Sequence, residues 1–175
     1  MMSERIFNIL VSSFTKILIP GIKVTIPLTI LSFLAGCMIA LFLALVQVAD
    51  VKGLKQFARF YIWVFRGTPL LVQLFIIFFG LPSLGIVLDA FPSAVIAFAL
   101  NLGAYNAEIF RSAILAVPKG QMEAAYMVGL NYPQTMIRVV MPQAFRIAFP
   151  SLFNSLIGLT KDTSLASSIT VVELF

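Results

Sequence analysis

Four long apolar stretches dominate the pattern of the chain, and most charged positions fall between them. They are residues 24–49, 67–88, 90–107 and 147–172; the first three contain no Asp, Glu, Lys or Arg, and the last is interrupted only by Lys161 and Asp162. A helix of about 17–25 residues crosses the hydrocarbon core of a bilayer. The pattern therefore predicts an all-α, polytopic transmembrane bundle with spans near 24–48, 67–88, 90–110 and 146–172.

Before the first span, residues 1–19 have an amphipathic pattern. Their apolar side chains fall near one helical face, namely Ile6, Ile9, Leu10, Phe14, Ile17 and Leu18. Pro20 and Gly21 then interrupt the helical pattern. The segment is interpreted as a helix lying in the membrane interface, and a frayed extension of the first span explains the pattern equally well.

Composition strengthens the membrane interpretation. Of the 175 residues, 61% are hydrophobic and 11% are charged, with a mean hydropathy of +1.04. A soluble domain has about 25% charged residues, so a water-soluble globule is excluded. The net charge of +5 comes from residues that flank the apolar stretches, so anchoring at the inner leaflet explains it without a nucleic-acid partner.

Basic residues also predict the orientation, because Lys and Arg concentrate in cytoplasmic loops. The connections 50–66 and 108–146 carry four basic residues each, whereas Asp89 is the only charged residue in the turn 81–92. The protein is therefore expected in the inner membrane, with both connections on its cytoplasmic side. The turn and the N-terminus are then outside, although three basic residues argue mildly for the opposite orientation: Arg5, Lys16 and Lys23.

Several kinds of reaction centre are excluded by counting. The chain has no His, which removes imidazole bases and histidine metal ligands, and its single cysteine, Cys37, lies inside the first apolar stretch. It contains no GxxxxGK[ST] phosphate loop, so it is not expected to hydrolyse ATP itself. No catalytic, metal-binding or cofactor-binding residue is predicted, and a membrane-embedded enzyme is the least favoured class.

The connection 118–142 has the most distinctive local pattern. It predicts a short helix from about Gln121 to Val128, ended by Gly129 at positive φ. Asn131 and the Tyr-Pro that follows then open a second short helix, expected to stop before Pro142. Small residues on such helices favour contact with another protein, although an ordinary loop between two spans fits the composition equally well.

This connection resembles a known motif. Glu123-Ala124-Ala125, Gly129 and, after nine residues, Val139-Val140-Met141-Pro142 resemble EAAxxxG(x)9IxLP of binding-protein-dependent ABC importer permeases. Other segments are similar to the polar amino-acid branch, which includes the histidine, glutamine, arginine and cystine permeases. They are Arg66-Gly67-Thr68-Pro69-Leu70-Leu71-Val72-Gln73-Leu74, Ala104-Tyr105-Asn106-Ala107-Glu108-Ile109-Phe110-Arg111, Pro118-Lys119-Gly120-Gln121 and Lys161-Asp162-Thr163-Ser164-Leu165. The resemblance extends in order from about residue 20 to residue 175.

The resemblance implies a permease subunit of an ATP-driven importer that works by alternating access. It implies a second permease subunit, two separate ATPases that use ATP and Mg²⁺, and an extracytoplasmic substrate-binding protein. In the family the motif forms the coupling helix that docks on the ATPase, a role carried here to Glu123, Ala124, Ala125 and Gly129. Relatives usually continue through a further span after the segment matching 171–175, so a C-terminal span is expected to be missing from this sequence.

Two groups of polar residues are candidates for the substrate pathway. Lys161 and Asp162 fall near the middle of the last predicted span, where ionisable groups usually line a cavity or pair. Asp162, with Lys161, then meets the ammonium and carboxylate of an amino acid; a span that ends near residue 160, with the pair at the outer interface, fits equally well. Asn101, Tyr105 and Glu108 share one face of the third span and either contact substrate or bond neighbouring helices.

Uptake of polar amino acids is the favoured function. A permease for another small solute, such as an opine or an amino-acid derivative, is the alternative within the same superfamily. A secondary transporter or channel would need no ATPase, and the coupling motif argues against both. A local ion pair is also expected between Glu108 and Arg111, which are three residues apart on one helix.

Overall fold

A computed structural model of the chain describes residues 14, 18, 19, 21–169 and 171, and those residues form helices and no strand. The predicted interfacial segment 1–19 lies outside them, apart from three residues. The helices are α1 (Gly21–Val48), α2 (Leu54–Gly67), α3 (Leu70–Leu84), α4 (Ala90–Ala116), α5 (Lys119–Met127), α6 (Tyr132–Thr135) and α7 (Met141–Asp162). A π-helical turn, Met136–Val140, joins α6 to α7, and a 3-10 helix, Thr163–Ile169, follows α7. The predicted all-α bundle is confirmed.

Helices α1 and α4 form the centre of the bundle because small residues let their backbones approach closely. A Cβ built on Gly36 would lie 2.9 Å from the Cβ of Leu102, and one built on Gly103 would lie 2.7 Å from Cγ2 of Ile39. Small residues at helix contacts are typical of membrane bundles, where association relies on van der Waals packing rather than on a hydrophobic driving force. Small residues therefore bring α1 and α4 into close contact at these positions.

The opposite side of α1 carries a stripe of exposed apolar residues. Its members recur every four positions: Ile26, Ile30, Leu34, Met38 and Phe42. Such a stripe exposed to water would be unfavourable, whereas lipid tails accept it without cost. α1 and α4 are long and apolar enough to cross a membrane, and the bent pair α2–α3 adds a third candidate among the residues described.

The predicted last span differs from the helix that the structure shows. The sequence allowed a span over 146–172 or, equally, one that ends near residue 160. α7 begins at Met141 and ends at Asp162, close to the second alternative, and the chain then tightens into the 3-10 helix. α7 has 22 residues, the length of a span, yet it is not among the helices apolar enough to qualify. Its polar residues therefore need hydrogen-bond partners on other helices or a water-filled cavity inside the bundle.

The segment 50–66, predicted as a connection, is largely helical. α2 occupies 14 residues and meets α3 at a bend of 105°. The side chain of Gln73 fastens this bend: its Nε2 donates to the carbonyl oxygens of Phe65 (2.9 Å) and Thr68 (3.0 Å) and to Oγ1 of Thr68 (2.7 Å). Pro69 cannot continue a helix through the junction, so the side chain satisfies carbonyls that the break leaves free.

Candidate functional site

A groove of about 940 Å³ opens between the α2–α3 junction, α4 and α7. Four of the five predicted pathway residues line it, namely Asn101, Tyr105, Glu108 and Asp162. Lys161 does not line it and is exposed on α7. Consecutive residues of a helix point about 100° apart, and here Asp162 faces the groove while Lys161 points away from it.

Asn101 both lines the groove and bonds a neighbouring helix. Its Nδ2 donates to Oε1 of Gln73 at 3.1 Å, which connects α4 to the bend of α2–α3. The helix-bonding role considered for the polar stripe of α4 is thus found at Asn101, and contact with substrate stays a prediction. The stripe gives the groove a polar wall whose position is fixed by the bend.

Arg66 is a groove residue that sequence reasoning did not single out as a site. Its guanidinium lies over the ring of Tyr105, with 5.3 Å between Cζ and the ring centroid. That arrangement is a cation–π contact, which holds the charge at the groove wall without neutralising it. The signal was available in the sequence, because Arg66 begins the segment that resembles the amino-acid permeases.

Apart from Asp162, the α7 wall of the groove was not predicted. Its polar and small members are Ser151, Asn154, Ser155, Gly158 and Asp162. These positions follow the i, i+3, i+4, i+7, i+11 spacing of one helix face, so helical periodicity alone would have revealed them.

A buried polar contact fixes this wall against α4. Asn106, with no exposed surface, accepts a hydrogen bond of 2.8 Å from Oγ of Ser155 at its Oδ1. Its Nδ2 donates to Sγ of Cys37 at 3.7 Å, which adds α1 to the same network. A satisfied buried amide of this kind holds three helices in one register.

Two opposite charges remain available in the groove. Glu108 is already paired, since its Oε2 accepts from Nε (3.0 Å) and Nη2 (2.8 Å) of Arg111, and the predicted i,i+3 ion pair is confirmed. Within the described residues, the carboxylate of Asp162 has no hydrogen bond or ion pair, and Arg66 has only its contact with Tyr105. The groove therefore offers one cation and one anion to a ligand.

The predicted coupling segment is a short helix followed by a glycine cap. α5 ends with the two hydrogen bonds of a Schellman motif, from Leu130 N to Ala125 O (3.1 Å) and from Gly129 N to Tyr126 O (2.9 Å). Gly129 has φ +82°, as the sequence predicted. Glycine reaches this conformation without steric cost, so the motif sets the end of the helix.

The exposed surface of α5 differs in part from the expected one. Glu123 and Ala124 are exposed, but Ala125 is only 5% exposed and faces the protein itself. Met127 and Val128 at the end of the helix are 88% and 77% exposed. The surface that α5 can offer a partner therefore combines Glu123 and Ala124 with two large apolar side chains.

The second predicted helix of this connection begins as expected but does not stop before Pro142. Asn131 and Gln134 form a capping box at its start, with two hydrogen bonds of 3.0 Å. The chain then runs through the π-helical turn into α7, and the N–H of Met141 bonds to O of Met136, five residues back. Pro142 occupies the first turn of α7, where a missing N–H is tolerated.

No group of three or more His, Cys, Asp or Glu residues that could hold a metal ion occurs in the described part of the chain. The ionisable residues of the groove are instead separated or paired. The arrangement suits reversible binding of a small charged solute.

Comparison with known proteins agrees with these features. The profile of the family described as binding-protein-dependent transport system inner membrane component matches residues 34–175. The L-cystine transport system permease protein TcyB of Bacillus subtilis is 54% identical over 169 residues, which cover 97% of this chain and 72% of TcyB. The octopine transport system permease protein OccM of Rhizobium radiobacter is 43% identical over 166 residues, covering 90% of this chain and 68% of OccM.

A solved structure gives the same result for the fold. A chain from a crystal structure of an amino acid ABC transporter with histidines has a TM-score of 0.84 and 39% identity, covering 94% of this chain and 77% of its own length. Identity at this level, together with a family match over most of the chain, goes beyond a shared fold. The chain belongs to the family of binding-protein-dependent transport system inner membrane components.

Proposed function

We propose that this chain is the permease subunit of an ATP-driven importer that moves polar L-amino acids across the membrane by alternating access. The observation that carries the proposal is the groove between α4 and α7, which presents the free carboxylate of Asp162 and the guanidinium of Arg66. A zwitterionic amino acid carries the complementary pair of charges. The relatives named for cystine, and for an amino acid ABC transporter with histidines, support the same substrate class.

Each charge of the substrate has a partner of the right chemistry. The carboxylate meets the guanidinium of Arg66, which can donate two parallel hydrogen bonds. The ammonium meets Asp162, and hydroxyl and amide groups of Ser151 and Asn154 complete the polar wall. Because Glu108 is already paired with Arg111, it adds little net charge to the groove.

The α5 segment is proposed to couple this groove to an ATPase in a separate subunit, which binds ATP and Mg²⁺. Glu123, Ala124, Met127 and Val128 supply an exposed surface of one carboxylate, one small residue and two apolar side chains. Gly129 fixes where the helix ends, and Ala125 holds it against the protein. A second permease subunit and an extracytoplasmic binding protein complete the proposed importer.

Replacing Asp162 by asparagine tests the groove. Loss of one charge-assisted hydrogen bond, worth about 1.5–3 kcal/mol, should lower the uptake rate at subsaturating substrate by about tenfold or more. The measurement is uptake of radiolabelled cystine, arginine, glutamine and histidine by vesicles containing the complete importer. Lys161→Gln is the matched control, since it removes the neighbouring charge outside the groove and should leave uptake unchanged. Wild-type uptake by Asp162→Asn would place the substrate elsewhere.

An amino-acid derivative is the second candidate substrate, favoured by the similarity to the octopine permease. The groove of about 940 Å³ is large enough for a molecule bigger than a single amino acid. Octopine competing with the amino acids in the same uptake assay, and losing that competition in Asp162→Asn, would favour this substrate.

The proposed orientation has the N-terminus outside and the segment 118–142 in the cytoplasm. Single cysteines replace Asp89 or Gln121, both exposed, in a Cys37→Ala background. A membrane-impermeant thiol reagent added to intact cells should label Asp89→Cys, and should label Gln121→Cys only after permeabilisation. The reverse pattern would invert the topology and remove α5 from reach of a cytoplasmic ATPase.

A further inference from the structure

A second cavity of about 440 Å³ lies beside the groove, between the end of α1, the start of α2 and the last turns of α4. We name it the basic cavity, after its polar lining residues Gln47, Asp50, Lys55, Arg59, Glu108 and Arg111. Three cations and two carboxylates give this lining a formal charge of +1. The amino-acid groove does not explain these residues, apart from Glu108, which borders both cavities.

Both carboxylates of the basic cavity already have a cation. Asp50 accepts a hydrogen bond from Nζ of Lys55, which lowers the pKa of the Asp50 carboxyl, and the charge of Arg59 lowers it further. Glu108 is held by Arg111 through two hydrogen bonds. The guanidinium of Arg59, by contrast, forms no hydrogen bond or ion pair with any other described residue. The excess charge of the cavity is therefore concentrated on Arg59.

Gln47 provides a second, independent sign of a missing ligand. Its Nε2 is buried and has no hydrogen-bond partner in the described part of the chain, although its side chain lines the basic cavity. A buried donor left unpaired costs about 1–3 kcal/mol, so such groups normally have a partner. The guanidinium of Arg59 is a cation and the Gln47 amide adds a donor, so an anion with oxygen acceptors complements both.

The outer face of α2 indicates where that anion comes from. Phe57, Phe60 and Trp63 project from it, and Trp63 is 72% exposed. α2 meets the apolar helix α3 at 105°, so it lies close to the membrane plane if α3 runs along the normal. Aromatic side chains with neighbouring basic ones mark the headgroup level of a bilayer. Arg59, one helical turn before Trp63, is then at the depth of lipid phosphates.

We propose that the basic cavity binds the phosphate of an anionic phospholipid headgroup, with Arg59 and Gln47 as donors. Basic pockets between transmembrane helices are suited to such headgroups. A zwitterionic headgroup fits less well, because its ammonium would find both carboxylates of the cavity already paired. The bound lipid would stabilise the contact of α2 with α1 and α4. Its site borders Glu108 on the side that does not face the groove.

The single tryptophan of the chain, Trp63, allows a direct measurement. The purified full chain is reconstituted in vesicles of phosphatidylcholine, and phosphatidylglycerol with brominated acyl chains is added in increasing proportion. Bromine quenches a tryptophan that it approaches closely, so the quenching curve reports occupancy of lipid beside α2. The same titration with brominated phosphatidylcholine gives the reference. The preference for the anionic lipid is the ratio of the quenching by brominated phosphatidylglycerol to the quenching by brominated phosphatidylcholine.

Gln47→Leu should lower this preference about threefold, and Arg59→Gln about tenfold, because they remove a neutral and a charge-assisted hydrogen bond. Arg59→Lys keeps the positive charge, so it should lower the preference for the anionic lipid less than Arg59→Gln does. Gln56→Leu is the matched control for Gln47→Leu, since Gln56 is exposed on α2 outside the cavity. Lys52→Gln is the control for Arg59→Gln: it removes an exposed positive charge outside the cavity, so it measures the general attraction of anionic lipid to the basic protein surface.

Competition distinguishes a lipid from a free anion. Inorganic phosphate at millimolar concentration should leave quenching by brominated phosphatidylglycerol unchanged. Complete displacement of the lipid by phosphate would overturn the lipid as ligand and make the cavity a phosphate site. Wild-type preference in both Gln47→Leu and Arg59→Gln, or equal losses in the variants and their controls, would overturn the site itself.

Discussion

Valine in place of Gly129 is expected to abolish ATP-driven uptake while leaving membrane insertion intact. Gly129 has φ +82°, and beyond its two chain neighbours no described residue has an atom within 4 Å of the position that an added Cβ would occupy, so the strain arises from the backbone alone. A β-branched residue in this conformation costs about 1 kcal/mol or more, enough to favour unwinding of the cap. Because the Schellman motif ends α5, loss of the cap moves the exposed Met127 and Val128 that are proposed to contact the ATPase.

A graded series isolates that cause. Gly129→Ala should impair uptake less than valine, and Gly129→Asn least, because asparagine tolerates positive φ. Gly120→Val is the matched control: this glycine is also in α5, has open space around it and does not adopt positive φ. The measurements are uptake by the complete importer and co-purification of the ATPase. Normal uptake by Gly129→Val would reduce Gly129 to a permissive position.

Alanine in place of Gly103 is expected to have the largest effect on folding. The added Cβ would lie 2.7 Å from Cγ2 and 3.1 Å from Cβ of Ile39 on α1, and 3.4 Å from the hydroxyl of Tyr61. A branched side chain has little rotamer freedom to withdraw, so the helices must separate. Overpacking of this kind costs about 1–3 kcal/mol, and the yield of folded protein in mild detergent should fall accordingly.

The partner residue provides the control. Ile39→Ala alone creates a space, and combined with Gly103→Ala it should recover most of the lost thermal stability, because the two changes are made at one contact. Gly158→Ala on α7 adds the same methyl group where, beyond its own helix, no described residue has an atom within 4 Å, so it should leave stability close to wild type. Equal melting temperatures for Gly103→Ala and Gly158→Ala would contradict close packing of α1 on α4.

Local features of the fold could be predicted because neighbouring residues determine them. Gly129 at positive φ, the Glu108–Arg111 pair and the capping by Asn131 all depend on groups within a few positions of each other. The continuation of the chain past Pro142 could not be predicted in the same way. It depends on the π-helical turn, which moves the hydrogen-bond register by one residue and places Pro142 in a first turn.

The candidate site shows the same division. Asn101, Tyr105, Glu108 and Asp162 were predicted from their chemistry at apolar depth and line the groove, whereas Lys161, predicted beside Asp162, does not line it. Arg66 was counted as a basic residue of a connection and as the start of a resembling segment, but its place beside Tyr105 could not be foreseen. Gln47 was overlooked because its significance lies in an unpaired Nε2, and only the packing of α1, α2 and α4 shows that it has no partner among the described residues.

The sequence by itself determined the class of this protein, because apolar stretches of membrane-spanning length, basic connections between them and the segment that resembles EAAxxxG(x)9IxLP can be identified without contacts or angles. The tertiary structure alone decided which polar residues meet. The 105° bend between α2 and α3, held by Gln73, brings Arg66 to Tyr105, and the rotation of α7 turns Asp162 toward the groove and Lys161 away from it. Helix rotation and bending depend on packing between segments that are far apart in the sequence. The pattern of residues along the chain does not specify that packing.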